Sequence, residues 1–328
     1  MSITRREFGA LAALTLAQGP SWAQEWPGKQ PIRIVVPYPA GGNADSAARA
    51  YADILQGTMK QTFIVDNRPG ASSIIGSDAI AKAAPDGYTI GVVSDSHAIN
   101  HVMAQTPKAA EILGAKPPYD ARKDFIPVAG MILVPLVLVV HPGTPARNVK
   151  ELVELSNKGK GVNFGTMGTG SPWFIHMHQI NNLTKGSFVD VPYKGLAPAA
   201  NDLLGGQIQA MVMPIHFAQQ YIRAGKLVAI AQLESQRHPL LPEVPTLAES
   251  GYPGLAISNY LYFVAPAGTP KAVVDRLGSE FNAAARLPAM KDKLGISGDP
   301  YAATSADLTA RLNRDIDAYG AVIRATIK

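Results

Sequence analysis

The sequence predicts an α/β protein built as two doubly wound lobes with a ligand cleft between them. Three observations carry this expectation. Strands alternate with helices at βαβ spacing in two separate stretches. Each stretch holds a glycine-rich turn joining a strand end to a helix start. A length of 328 residues exceeds what one hydrophobic core usually organises, which favours two domains.

The elements follow in order. Ile32–Val36 is a short β-branched run that reads as a buried strand. Val35-Val36-Pro37-Tyr38-Pro39-Ala40-Gly41-Gly42-Asn43-Ala44-Asp45 then packs a strand end, a Gly-Gly turn and a helix start together, with the helix over Asn43–Leu55. Thr62–Val65 is a second strand, and the breakers from Asp66 to Ala71 make a turn. A helix over Ile74–Ala83 is stopped by Pro85-Asp86-Gly87, and Tyr88–Val93 is the third strand. Beyond Asn100 the regularity lapses, so Thr106–Asp124 reads as loop; the apolar stretch Phe125–Val140 reads as strands crossing into new territory. The second set comprises strands at Val162–Phe164, Phe188–Val191, Gln209–Met213 and Val228–Ala231, with helices at Pro172–Leu183, Pro198–Leu204 and Phe217–Ala224. Ile257–Val264 is an apolar strand, and the tail is helical over Lys271–Arg286 and Ala306–Ile327. The implied division is lobe I at 24–130 plus 257–328 and lobe II at 131–256, with hinge strands near 125–140 and 257–264.

Composition narrows the class. Hydrophobic residues make up 47% and charged residues 17%, with mean hydropathy +0.04, as in a well-packed globular chain. The net charge is +5 and the pI about 9.2, but the basic residues are scattered rather than clustered with aromatics, so no nucleic-acid partner is expected. Arg5-Arg6, the apolar run Phe8–Ala17 and Ser21-Trp22-Ala23 describe a cleavable export signal over residues 1–23, by the Tat or the Sec route. The protein is therefore expected in the periplasm. Its removal lowers the formal charge from +5 to +4 by the loss of two arginines and one glutamate. The richest remaining apolar segment, Met131–Val140, holds Pro135 and falls short of the about 20 residues a membrane span needs. With no cysteine, disulfides, thiolate metal sites and cysteine nucleophiles are excluded.

The candidate chemistry is that of binding. A helix start freed of side chains at Gly41 and Gly42 exposes N–H groups that favour an anion, and Asn163-Phe164-Gly165-Thr166-Met167-Gly168-Thr169-Gly170-Ser171-Pro172 repeats that logic, with Ser171 as N-cap and Pro172 at the first helical position. Neither stretch matches a dinucleotide or phosphate-loop motif, and no cofactor is expected. His176 and His178 point apart on a helix, and His97 with His101 lacks a completing carboxylate, so no metal site is expected. Neither Gly70-Ala71-Ser72-Ser73-Ile74 nor Gly168-Thr169-Gly170-Ser171-Pro172 forms a nucleophile elbow. Asp45 reads as a carboxylate reaching back to the backbone of its own helix start. Tyr38 and Tyr193 each follow a strand at its carboxyl end, where they either line a cleft or pack in the core.

Several motifs in this order resemble one family. They are Val36 to Asp45, Asn67-Arg68-Pro69-Gly70-Ala71, Ala83-Ala84-Pro85-Asp86-Gly87-Tyr88, Val191-Pro192-Tyr193-Lys194-Gly195 with Pro198, Asp202 to Gln207, Leu241 to Glu249, and Ala265 to Pro270. Together they resemble the Bug family, the TctC-like periplasmic solute-binding receptors of tripartite tricarboxylate transporters, over essentially the whole mature chain. The resemblance implies a clamshell of the type II periplasmic-binding-protein (Venus flytrap) kind that holds a small mono-, di- or tricarboxylate, or an aromatic acid, and hands it to membrane permease subunits. It implies a binding protein rather than an enzyme, and a monomer. Carried over by motif, the ligand residues are Tyr38, Pro39, Gly41, Gly42, Asn43 and Asp45, then Thr166, Gly168, Thr169, Gly170 and Ser171, with Pro192, Tyr193, Lys194, Gly195 and Ser94 lining the same cleft.

The chain also departs from that pattern. Asn43 stands where many relatives have a third glycine, and Phe174 where they usually carry a histidine; Trp173-Phe174 therefore either widens an apolar wall or packs inside the helix. Gln209–His216 lacks an acidic residue frequent in relatives, and 105–116 resembles an insertion beside the cleft. The rival outputs of the same fold are a sensor subunit signalling to a membrane histidine kinase and, less favoured, an enzyme.

Overall fold

The computed structural model describes residues 26–28, 30–158 and 161–327. The export-signal reading of residues 1–23 lies outside the described residues. In chain order the elements are β1 (Ile32–Val36), α1 (Asn43–Met59), β2 (Phe63–Asn67), α2 (Ile74–Ala81), β3 (Thr89–Ser94), α3 (Ser96–Gln105), α4 (Pro107–Leu113) and β4 (Phe125–Val140). The second half runs α5 (Val149–Ser156), β5 (Val162–Thr166), α6 (Pro172–Thr184), β6 (Phe188–Pro192), α7 (Leu196–Leu204), β7 (Ala210–Pro214), α8 (Ile215–Arg223) and β8 (Val228–Gln232). The chain returns through β9 (Ser258–Pro266), α9 (Lys271–Ala285), α10 (Pro288–Leu294), the short β10 (Asp299–Pro300) and α11 (Ser305–Thr326).

Two parallel triplets lie at opposite ends of one mixed sheet of order β2-β1-β3-β9-β4-β7-β5-β6. The first, β2-β1-β3, belongs to the first half of the chain; the second, β7-β5-β6, to the second. Between them β9 pairs antiparallel with both β3 and β4, and β7 and β8 pair antiparallel with β4. The sheet expected from βαβ spacing is thus parallel only at its outer thirds. The long returning strands run the other way because each must carry the chain between halves.

The Phe125–Val140 stretch, expected as more than one strand, is a single strand of 16 residues. Its first part pairs with β9 as far as Pro135↔Ser258, and its second part takes up β7 from Leu136↔Pro214 and β8 from Val137↔Gln232. Pro135 has no N–H to donate, and it stands where β4 changes partners. Register shifts beside Pro127 and Gly130 bend the strand as bulges do.

Each half has its own apolar core. Ile34, Tyr51, Phe263 and Phe281 centre one, and Val139, Phe164, Met211 and Leu203 centre the other. A third cluster draws Ile99 and Met103 of α3, Phe174 and Ile175 of α6 and Ile316 and Ile323 of α11 together, so the C-terminal helix packs on both halves. That helix opens with a capping box, Thr304 and Asp307 exchanging hydrogen bonds.

Differences from expectation have local causes. Thr106–Asp124 is not all loop: α4 begins with Pro107 at its first turn and ends at Gly114 in the left-handed conformation, both standard helix punctuation. Helix α5, which the sequence reading passed over, is signalled by Asn148 capping Glu151 N–H, with Glu151 returning its carboxylate to the Asn148 amide. Gly130 is needed because a Cβ there would overlap the backbone carbonyl of Tyr301. Gly130→Ala is expected to destabilise the fold by about 1–3 kcal/mol through overpacking. Urea denaturation checks this, and an unchanged midpoint would show that the Tyr301 segment yields freely.

Candidate functional site

The first glycine-rich turn ends with Gly42 as the N-cap of α1 at φ −80°, ψ 172°, without a side chain covering the first-turn N–H groups. Asp45 turns back as expected, its Oδ2 accepting from Gly41 N–H at 2.9 Å and from Arg49 Nε at 3.1 Å. Arg49 also pairs with Oδ1 at 3.0 Å. Burial works to raise the Asp45 pKa, but the Arg49, Gly41 and Asn67 hydrogen bonds outweigh it and hold the carboxyl below its ordinary range. Asp45 therefore shapes the turn. Tyr38 donates to Ser94 Oγ at 2.8 Å and lies 3.3 Å from Ser96 Oγ, linking β1 to the end of β3, and burial raises its pKa.

In the second turn, Thr166 is fully buried at the end of β5; its hydroxyl donates to Asp190 and accepts from Gly168 N–H at 3.1 Å. Those atoms hold the loop and are already partnered. Ser171 caps α6 by accepting from Phe174 N–H at 3.2 Å, and Pro172 follows at the first turn. Gly170, at φ +83°, passes so close to Met103 of α3 that a Cβ would overlap the sulfur. Glycine there lets the two halves touch.

Two adjoining cavities occupy the cleft. The first, about 430 Å³, is lined by Ser72, Ser73, Asn100, Thr169, Gly170 and Ser171, with Met103, Ile112 and Leu113 among its apolar groups. The second, about 460 Å³, is lined by Gly42, Asn43, Ser94, Asp95, Val134, Trp173, Leu196, Asn259 and Leu261. Tyr38, Pro39, Ser96 and Pro172 border both chambers. Among the described residues, no Lys or Arg lines either one.

The structure thus brings Tyr38, Pro39, Gly42, Asn43, Ser94, Thr169, Gly170 and Ser171 to the cavity walls. Gly41, Asp45, Thr166 and Gly168 line neither chamber and instead shape the two turns. Pro192, Tyr193, Lys194 and Gly195 line neither chamber: Tyr193 donates to Asp202 at 2.8 Å, and Gly195 caps α7, which sends Leu196 to the wall instead. The Trp173-Phe174 alternatives divide between the two residues. Trp173 lines the second chamber, its indole N–H pinned on Val212 O at 3.1 Å, whereas Phe174 belongs to the cluster under α11. The 105–116 segment borders the first chamber through Ile112 and Leu113 of α4.

Sequence reasoning missed Asp95. It caps α3, Oδ1 accepting from Ser96 N–H at 3.1 Å, while the buried Oδ2 has no hydrogen-bond partner. Burial, with the nearby Asp315 charge, pushes the Asp95 carboxyl up to about 7. Behind it Tyr260 donates to Asp315 at 2.6 Å, and Arg311 lies 3.6 Å over the Tyr260 ring and donates to Ser258. Burial also pushes Glu234 to about 7. The signal for Asp95 was a carboxylate directly after the third strand and before a helix.

The histidines carry a structural surprise. His216, His238 and Asp299 converge with their ligand-type atoms within 4.8 Å, a metal-like constellation that no sequence motif announced. His238 Nδ1, however, accepts from Leu240 N–H at 3.2 Å, which places the ring proton on Nε2, and Nε2 is spent on Asp299 at 2.9 Å. A metal would need that Nε2 lone pair. The trio is better described as a hydrogen-bonded clasp between the α8 side and β10. His176 is buried on Asn259 at 2.7 Å, and His97 stacks on Tyr119 and meets Phe125 edge-to-face.

Fold and cleft together define a two-lobed solute-binding protein. The model of the tripartite tricarboxylate transporter family receptor matches residues 47–327, and the chain belongs to that family. It is 33% identical over 331 residues to protein BugT of Bordetella pertussis, covering 99% of this chain and 98% of BugT. A TctC solute-binding protein from Polaromonas superposes with TM-score 0.79 at 28% identity, covering 92% and 99% of the two chains. An R. palustris protein solved with adipate superposes with TM-score 0.73 at 28% identity, covering 91% and 97%.

A carboxyl with a folded pKa of about 7 against an ordinary 3.8 contributes stability that is complete below about pH 4 and is lost as the pH rises through 7. Asp95→Asn keeps the helix cap and removes the buried charge. The variant is expected to be more stable than the parent at pH 8, on the order of 2–4 kcal/mol, with the gain vanishing near pH 4. Denaturation at the two pH values measures it; an equal difference at both would mean Asp95 titrates normally.

Proposed function

We propose that this protein is an exported receptor that captures a small carboxylate between its two lobes and delivers it to the membrane permease subunits of a tripartite tricarboxylate transporter. One observation carries the reading. Helix starts from opposite halves, α1 with its uncapped first turn and α6 behind its glycine-rich loop, border a cleft whose lining offers hydroxyls, amides and backbone donors but no Lys or Arg. Such donors stabilise a carboxylate through partial charges, and without a desolvated ion pair the complex stays releasable. Release is what a delivery protein requires. The adipate held by the R. palustris relative supports a carboxylate as the cargo.

In this reading lobe I comprises 24–130 with 257–328, lobe II comprises 131–256, and β4 with β9 forms the hinge. Residues 1–23 direct export and are removed. Membership in the receptor family supports the transporter as the partner.

Purified mature protein is expected to melt several degrees higher with at least one acid from a panel of aliphatic and aromatic carboxylates. A Cβ at Gly42 meets nothing closer than Pro39 O at 3.5 Å, so Gly42→Val is expected to fold normally while covering the first-turn N–H groups and narrowing the second chamber. Calorimetry on that variant should show loss of binding, at least tenfold, with an unchanged melting temperature for the free protein. A panel without a single hit would defeat the receptor reading, and undiminished affinity in Gly42→Val would take the α1 turn out of the site.

A further inference from the structure

The two chambers differ chemically, and the difference bears on what the ligand can be. The first is walled by hydroxyls and the glycine-rich loop, so it suits a carboxylate. The second is walled by Val134, Trp173, Leu196 and Leu261, and the only ionisable acid or base among its lining residues other than Tyr38 is Asp95. A second carboxylate placed there would give up its hydration against these apolar walls without a cation to offset the loss. Asp95, its carboxyl raised towards the neutral form by burial, offers no charge to pair with it. An apolar ring or branched chain meets the opposite situation, because the Trp173 indole is held in place by its bond to Val212 and offers a rigid apolar surface.

Resting on the carboxylate-receptor reading, we infer that the ligand is a monocarboxylate with an apolar, ring-sized body, its carboxylate at the α1 and α6 helix starts where the two chambers meet and its body against Trp173. Aliphatic dicarboxylates are disfavoured by the second chamber itself. Trp173 acts there as the specificity residue, rewarding the apolar body. This sets the chain apart from the relative solved with adipate, a ligand charged at both ends.

Calorimetric titration of the mature protein with benzoate, phenylacetate, adipate and malate tests the inference. The expected result is that an aromatic monocarboxylate binds at least tenfold more tightly than either dicarboxylate. Trp173→Ala should weaken the aromatic acid tenfold or more, and Trp173→Phe, which keeps an aromatic wall, should recover most of that loss; circular dichroism confirms that both fold. Tighter binding of adipate or malate than of both aromatic acids would overturn the inference and leave the carboxylate receptor standing. Failure of all four acids and of a wider acid panel would remove both.

Discussion

The structure depends on the continuity of β4. Sixteen residues of one strand, Phe125–Val140, belong to the sheet of the first half at one end and to that of the second at the other. A strand's backbone groups must be paired along its whole buried length, so the position at which partners change is fixed by where a hydrogen bond is dispensable. Pro135 supplies that position. From it follow the separation of two cores, the cleft between them and the arrival of two glycine-rich turns on the same opening. Helix α11 limits how independent the halves are, because it packs on α3 of one and α6 of the other.

Around this axis the protein keeps its charge out of the cleft and behind it. Arg49 is committed to Asp45 and Asn67, and Arg311 to Tyr260, Asp315 and Ser258. What reaches the walls is partial charge from helix starts and hydroxyls, together with Asp95, whose burial favours its neutral form. In the proposed reading, such a site recognises an anion without burying a permanent cation, and its affinity depends on the geometry of the walls. The His216, His238 and Asp299 clasp sits beside the partner change in β4: Asp299 is paired to Leu133, and His216 follows Pro214, which is paired to Leu136. Its carboxyl is held well below the usual range because the two imidazoles outweigh its burial.

Much of this was legible from local patterns. The outer strands, the helices after them, the Ser171 cap and the backward reach of Asp45 all depend on neighbours within a few residues, and such features survive reading one residue at a time. Helices α4 and α5 were equally local, with Pro107 and Gly114 bounding one and Asn148 capping the other, yet proline-rich surroundings and a short length masked them. The antiparallel middle of the sheet was not legible. Direction follows from which distant strands meet, and β9 lies more than 100 residues beyond β4 in the chain.

The candidate site divides along the same line. The sequence alone determined that two glycine-rich turns precede helices and that their residues favour an anion, because φ freedom and helix dipoles are properties of short segments. Tertiary structure decided which of those residues face the ligand space. Thr166 and Gly168 spent their groups on the loop itself, the Pro192–Gly195 turn passed its place on the wall to Leu196, and Trp173 parted from Phe174 because neighbours on a helix point about 100° apart. It also decided the identity of Asp95, since a carboxyl becomes a wall of neutral acid only when elements from both ends of the chain bury it.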